Sequence, residues 1–600
     1  MPVSLTTWRL LVGRFNGSKP CHHNCFKSHI VKGKYHCYLL IVLMLLLLSG
    51  NVHPNPGPKR DKDYNFSVCS WNIGSVSVHN FIKLSLLSSY NSIYKYDLIC
   101  LSETFLDSSF LPDDPRLNLD GYNLIRADHP NDVKRGGVCV YVKNSLATRV
   151  CNISNLNECI IIELNLKNKK GYAISLYRSP SQSLDEFEQF LLNLDQILYD
   201  ISSLNPSFVM LLGDFNAKSS SWYSHDITSP EGLRIESLTS FYSFTQLISI
   251  PTHILPNSST CIDLIFVDQP NIIRNSGVHS SLHPNCHHQI TYLKINLKVD
   301  YPPPYERLVW DYNKANVESI NLAIDSFNWQ NLFEGKNVNE QVYLFNKTIL
   351  NIFKNFIPNK IVTFNDSDPP WVNEQIKSLI QLKNQMFNLY VQNGKKQNDY
   401  ILLQNANHQL SDIININKRK YYDRLTLKLN NPNTSAKAYW AILKSFVNGK
   451  KVPSIPPLFT NGQFVTDFLS KANIFNTFFS QQCTDIVTSS TVPSNPSFIS
   501  DKRLSQIEFD VNNIINIIRK LNPEKAHGHD GISIRMIILC KESIAKPLCQ
   551  LFKNCFETST FPAEWKKGNI IPVFKKGDKQ SVSNYRPISL LPIFSKIFER

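Results

Sequence analysis

The sequence predicts an α/β (α+β) domain followed by a mainly helical segment and a third unit, and three observations carry that prediction. At 600 residues the chain exceeds what one core fills, because single cores stop growing at about 250–300 residues. Hydrophobic residues make up 42% of it, with Phe 35 and Tyr 24, which excludes a wholly disordered chain. From Phe66 to about Leu297 short apolar runs of strand length alternate with turns and amphipathic helices. Lys+Arg 63 against Asp+Glu 48 leaves a net charge of +15. Such a surplus suits a polyanion, most often nucleic acid, but charge alone does not choose the partner. Several of the 14 cysteines, such as Cys100, Cys139 and Cys261, sit inside apolar runs. They read as small core hydrophobes in a reducing compartment, without a disulfide framework.

Residues 1–64 form an N-terminal segment. Its cluster Cys21, His22, His23, Cys25, His29, His36 and Cys37 matches no common zinc-finger spacing, which argues against a metal site. The apolar run Tyr38–Leu48 is well short of the roughly 20 residues that cross a bilayer, so no stable span is expected. Basic residues precede it and Ser49-Gly50 follows, a pattern that leaves secretory or membrane targeting open. The following Asn51-Val-His-Pro-Asn-Pro-Gly-Pro58 resembles 2A-like translational-skipping peptides, in which the bond corresponding to Gly57–Pro58 is never made. Proline's constrained ring nitrogen is a poor acceptor for that bond. Asn51 and His53 stand where the pattern has acidic residues, so partial skipping at most is expected.

The α/β domain is assigned to residues 65–300. Strands are predicted at Phe66–Ser70, Asp97–Leu101, Gly137–Val142, Cys159–Leu164, Tyr172–Leu176, Phe208–Leu212, Ile262–Val267 and Ile290–Ile295. Helices are predicted at Phe81–Leu87 and Leu184–Ile201. Tyr301-Pro-Pro-Pro-Tyr305 breaks the pattern. Residues 301–457 read as a helical connector that becomes basic late, at Lys418-Arg419-Lys420 and Lys450-Lys451, and residues 458–600 as a further unit.

Polar residues at strand ends mark the candidate site. Asn72 follows the first strand, and Leu98–Ser102 delivers Glu103 at its end. Leu211-Leu212-Gly213-Asp214-Phe215-Asn216 delivers an acid and an amide, with a glycine that lets backbone approach closely. Asp263 lies in an apolar strand, and His287 and His288 precede the last one. Mg²⁺ takes hard oxygen ligands, usually one or two carboxylates plus water and substrate phosphate. One such residue is an ordinary turn former; several in one domain, each beside an apolar run, point to metal-assisted phosphodiester chemistry.

The series Trp71-Asn72, Ser102-Glu103-Thr104, Tyr177-Arg178, Gly213-Asp214-Phe215-Asn216, Ile262-Asp263 and a closing His resembles the endonuclease/exonuclease/phosphatase superfamily. Within it, Ser-Glu-Thr-Phe-Leu is closest to the endonucleases of jockey-like non-LTR retrotransposons. The resemblance implies a four-layer DNase I-like sandwich of two β-sheets flanked by helices. It implies that Glu103 ligates Mg²⁺ (or Mn²⁺) with Asn72 beside it, and that Asp214 orients and deprotonates the attacking water. Asn216 and Tyr177 then hydrogen-bond the phosphate oxygens, and Asp263 holds the closing histidine in one tautomer. The family closes on Ser-Asp-His, and this chain reads Asn285-Cys286-His287-His288. Counting back from Ile290 favours His287 as the catalytic histidine with Cys286 at the acid's place; the other register makes His288 catalytic with His287 there. A carboxylate is missing in both, so weakened activity is expected.

Leu521–Gly531, Pro562–Gly568, Ile571–Asp578 and Asn584–Leu591 resemble the start of a retrotransposon reverse transcriptase. The resemblance puts Lys575 and Arg586 in the fingers, against template or nucleotide phosphate. No Tyr-x-Asp-Asp type motif occurs in the chain, so a truncated polymerase without its palm, unable to polymerise, is expected. The reading is therefore a Mg²⁺-dependent endonuclease that nicks DNA for retrotransposition, fused to an incomplete RNA-directed DNA polymerase. Its partners would be target DNA and, in the intact family, the element's RNA, with a nuclear or cytoplasmic location. The alternatives are a decayed element protein that binds nucleic acid without cutting, or another phosphoesterase of the same fold. Target site and oligomeric state have no code in the sequence.

Overall fold

Two mixed six-stranded sheets account for the apolar alternation of the first half. The computed structural model describes residues 65–600 apart from 113, 154, 168, 300–304, 365–367, 433, 449–454 and 483–507. The Cys/His cluster, the apolar run Tyr38–Leu48 and Gly57–Pro58 lie outside the described residues.

In chain order the strands are β1 Asn65–Asn72, β2 Leu98–Ser102, β3 Tyr122–Ala127, β4 Val138–Lys143, β5 Thr148–Cys151, β6 Cys159–Leu166 and β7 Lys169–Tyr177. There follow β8 Phe208–Asp214, β9 Thr245–Gln246, β10 His253–Leu255, β11 Ser258–Thr260, β12 Asp263–Val267, β13 Ile273–His279 and β14 Ile290–Lys298. One sheet runs β13-β14-β1-β2-β4-β3 and the other β5-β6-β7-β8-β12-β9, while β10 and β11 form a separate hairpin. Only β1/β2 and β7/β8 pair in parallel within the two sheets; the other neighbours are antiparallel.

Successive residues of a strand face opposite sides, and both faces here are buried. Phe66, Val68, Leu98 and Cys100 of the first sheet face Ala173, Met210, Leu212 and Ile265 of the second across the central core. Cys69, Trp71, Ile99 and Leu101 point the other way, under helix α1 (Val78–Tyr94). Helices α2 (Leu184–Ser203) and α3 (Pro230–Phe241) cover the second sheet. This is the four-layer DNase I-like sandwich. Ser183 caps α2 in a reciprocal box with Glu186, which satisfies two otherwise orphaned backbone donors. α3 went unpredicted although Ser229-Pro230-Glu231 is a helix-start signature.

A strand pair, β15 (Tyr305–Trp310) and β16 (Asn359–Phe364), brackets helices α4 (Val317–Asp325), α5 (Trp329–Phe333) and α6 (Val338–Phe356). Helices α7 (Glu374–Gln392), α8 (Gln397–Leu429), α9 (Ala436–Asn448) and α10 (Phe468–Gln481) follow. The last helices are α11 (Val511–Arg519), α12 (Ile534–Leu539), α13 (Lys541–Glu557) and α14 (Ile593–Phe598). The connector divides its packing. Ile320, Val342, Phe345 and Ile349 share a core with Ile518, Ile544, Leu548 and Phe594, whereas Ile376, Ile380, Leu410 and Ile414 pack under the first sheet beside α1. Among the described residues no helix is long and apolar enough to cross a membrane, and Cys100, Cys139 and Cys261 are free, buried thiols.

Candidate active site

Strand register puts the polar residues of the second sheet side by side. Asp214 pairs with Tyr177 on one flank and with Asp263 on the other, so three neighbouring strands present them at one level. On the first sheet Asn72 pairs with Ser102, which leaves Glu103 just beyond the strand in a left-handed backbone conformation (φ 51°). The two sheets meet through side chains: Asn72 Nδ2 donates to Asp214 Oδ2 at 2.8 Å, and the Tyr177 hydroxyl hydrogen-bonds Glu103. Asn72 Oδ1 accepts from the Gly74 N–H at 3.1 Å, which fixes how the amide is turned.

The turn after β8 is clamped. The Asn216 N–H donates to Asp214 Oδ1 at 3.0 Å and its Nδ2 to the Arg178 carbonyl at 2.8 Å. Arg178 is buried, and its guanidinium donates to the Phe215 and Asn216 carbonyls. Gly213 makes this approach possible. With φ at +149°, a Cβ there would lie 1.9 Å from the Leu176 carbonyl oxygen. Gly213→Ala is expected to destabilise by about 2–6 kcal/mol, the sum of a strained-backbone and an overpacking cost. Urea unfolding checks this.

His288, not His287, is the histidine paired with Asp263. Its Nδ1 lies 2.9 Å from Asp263 Oδ2, and its carbonyl accepts from Trp71 Nε1 at 3.2 Å. The preference for His287 counted back along β14 as a regular strand. The backbone departs from that count, since His288 forms an isolated bridge with His253 ahead of the strand. His287 has a buried Nδ1 without a hydrogen-bond partner. Cys286 is buried, with Sγ donating to the Asn72 carbonyl at 3.3 Å.

Burial and the neighbouring Asp263 carboxylate push Asp214 well above the ordinary carboxylate range. Burial opposes a charge on His288, but the carboxylates of Asp263 and Asp214 outweigh it and hold the imidazole protonated far above its usual value. Burial, then Glu103 and Asp214, raise the Tyr177 hydroxyl, which stays a donor. Burial and the charge of His288, whose ring lies 4.6 Å away, lower His253 to about 4.

Ligand atoms of Asp214, Asp263 and His288 lie within 4.8 Å of one another. His288 Nδ1 is already engaged by Asp263, an arrangement that suits proton and charge management. The hard oxygens of Glu103 and Asn72, beside Asp214, have the donor chemistry a Mg²⁺-sized cation needs.

Four supporting residues have no role in the sequence reading: Arg178, part of the Tyr177-Arg178 motif, and three that the motifs leave out. Thr252 Oγ1 accepts from the Ile262 and Asp263 N–H groups. Lys83, buried, donates to the Ile73 and Gly74 carbonyls beside Asn72. Glu158 accepts from the Gly137 N–H. All four act through tertiary contacts that local pattern does not encode. Lys575 and Arg586 are exposed on the hairpin of β17 (Asn569–Phe574) and β18 (Tyr585–Leu590), far along the chain from the sandwich residues.

Residues 69–292 match the model of the endonuclease/exonuclease/phosphatase family. The chain is 22% identical over 510 residues to the RNA-directed DNA polymerase from mobile element jockey of Drosophila melanogaster, covering 81% of this chain and 53% of that protein. For the jockey polymerase of Drosophila funebris the identity is 21% over 545 residues, covering 86% and 56%. The chain thus spans about half the length of the curated relatives it matches. The solved endonuclease domain of TRAS1, a telomere-specific non-LTR retrotransposon, is 15% identical with a TM-score of 0.31, covering 38% of this chain and 98% of that domain. Residues 69–292 thus match the endonuclease/exonuclease/phosphatase family, and over most of its length the chain is similar to the jockey RNA-directed DNA polymerases, which are proteins of a non-LTR mobile element.

Proposed function

We propose that residues 65–300 are a Mg²⁺-dependent endonuclease that nicks DNA, joined by residues 301–457 to a reverse-transcriptase fingers region at 458–600. The observation that carries this reading is the Asn72–Asp214 hydrogen bond. It ties the metal-ligand end of one sheet to the water-activating carboxylate of the other.

In this reading Glu103 and Asn72 hold the cation, which when bound neutralises charge on the scissile phosphate. Asp214, its geometry fixed by Asn72 and Asn216, orients the attacking water and takes its proton. Protonated His288 and the Tyr177 hydroxyl donate to the phosphate oxygens as negative charge grows on them. Asn216 keeps the turn after β8 in place through Arg178. Lys575 and Arg586 are assigned to nucleic-acid phosphate, and the element's RNA is the partner they suit. A nuclear or cytoplasmic location follows from those substrates.

The test is relaxation of supercoiled plasmid by the full chain with Mg²⁺. Nicking that EDTA abolishes is the expected result; retention of plasmid without cutting would favour a binding-only protein. The pH profile adds a second check. Because the folded-state pKa of Asp214 is raised, its active carboxylate form appears only above the ordinary carboxylate range. The acid limb should therefore lie above that range and move to lower pH as Mg²⁺ rises, since a nearby cation favours the carboxylate. An acid limb at pH 4, insensitive to Mg²⁺, would remove Asp214 from the base role.

A further inference from the structure

Helix α7 lies outside the segment that matches the nuclease family, yet it is bonded to the loop that carries His288. Lys383 is fully buried (0% exposed), and its Nζ donates to the Ser281 carbonyl. The adjacent Asn384 accepts from the Ser280 N–H at 3.1 Å and donates to the Tyr94 hydroxyl at 2.7 Å. From there the restraint continues. The Ser281 N–H donates to Gln289 Oε1 at 2.8 Å, and Gln289 Nε2 donates to the His287 carbonyl at 2.8 Å. The Gln289 N–H donates to the Thr252 carbonyl, and the Thr252 hydroxyl holds the backbone of Asp263. Both ends of the His288–Asp263 pair are thereby tied to α7.

Apolar packing runs alongside. Ile376 and Ile380 of α7 and Leu410 and Ile414 of α8 share a core with Leu282, Cys286 and Trp71. Phe387, Tyr390 and Leu403 are buried in the apolar cluster that also takes in Tyr223 and Ile254. A lysine ammonium taken out of water costs several kcal/mol unless its donors are met. Burial holds Lys383 down to about 7, so the contact is a costly one to keep for packing alone.

We propose that Lys383 and Asn384 are positioning residues for the nuclease, and that helices α7 and α8 are a built-in part of its active domain. This rests on the nuclease reading above. The helices lead from the nuclease to the polymerase-like region, so the same contact links the state of the connector to the geometry of His288.

The test uses the full chain with Lys383→Met and Asn384→Leu. Methionine keeps the length of the side chain and removes the buried cation, so the fold should persist; Asn384→Ser is the milder variant should either fail to fold. The expected result is a fall in kcat for plasmid nicking of about 10–100-fold, the scale for partners that orient metal-site groups, with KM for plasmid unchanged. Hydrogen exchange followed by mass spectrometry should quicken in residues 280–289 and stay unchanged in β8 and β2. Unchanged kcat with unchanged exchange in 280–289 would overturn the proposal, as would faster exchange spread evenly over the whole sandwich. A parent chain that does not nick would overturn the nuclease reading instead, and the exchange pattern would still decide the contact.

Discussion

His288→Ala is expected to slow plasmid nicking by about 10²–10⁴-fold, the range for a positioned acid or base, whereas His287→Ala should stay within a few-fold of the parent. The asymmetry follows from the 2.9 Å contact of His288 with Asp263, a carboxylate only 2% exposed, which keeps the imidazole charged and aimed. His287 has no such partner for its Nδ1. In the register the structure favours, His287 stands where the family pattern has its acid. His287→Asp should therefore raise nicking, by roughly the 10- to 100-fold that outer partners of a metal site are worth. Cys286→Asp would be the activating change in the other register. Here it sets a carboxylate against the Asn72 carbonyl that Cys286 now donates to, and it should lower both activity and thermal stability. If His287→Ala is the crippling variant and His288→Ala is not, the site has been assigned to the wrong histidine.

That pair of neighbours shows where sequence stops informing. Asp214, Asn216, Glu103 and Asp263 could be found because each follows or sits in an apolar run that must be a buried strand. A polar residue there is either a turn or a site. What decides between His287 and His288 is one residue of register, and one residue turns every side chain to the other face. The bridge between His253 and His288 depends on a hairpin more than thirty residues upstream, which no local pattern announces. The lateral row Tyr177, Asp214, Asp263 likewise depends on long-range pairing. The helices of the connector were legible as amphipathic, since periodicity marks an apolar face. It does not name what the face covers, so the division of residues 301–457 between two cores was not foreseeable. Polar edge strands such as β13 (IRNSGVH) and the short β10 and β11 carry too little apolar signal to read as strands.

Glu103→Gln and Asp214→Asn should separate the two jobs assigned to the site. Both changes preserve volume, so neither opens a cavity. Glu103 sits at a strand end and is partly exposed, and its proposed work is to hold the cation. Glutamine keeps one neutral oxygen ligand, so the Mg²⁺ concentration giving half-maximal nicking should rise about 10–100-fold, with much of the rate recovered at high Mg²⁺. Asp214 is fully buried, and its proposed work is to take a proton from water, which an amide cannot do. Its variant should lose about 10²–10⁴-fold in rate, and added Mg²⁺ should recover none of it. Thermal midpoints near that of the parent would show that the loss is chemical. Recovery of Asp214→Asn by Mg²⁺ would instead make Asp214 a metal ligand and leave the water without its base. Equal, unrecoverable losses in both variants would mean that the two carboxylates act as one inseparable unit.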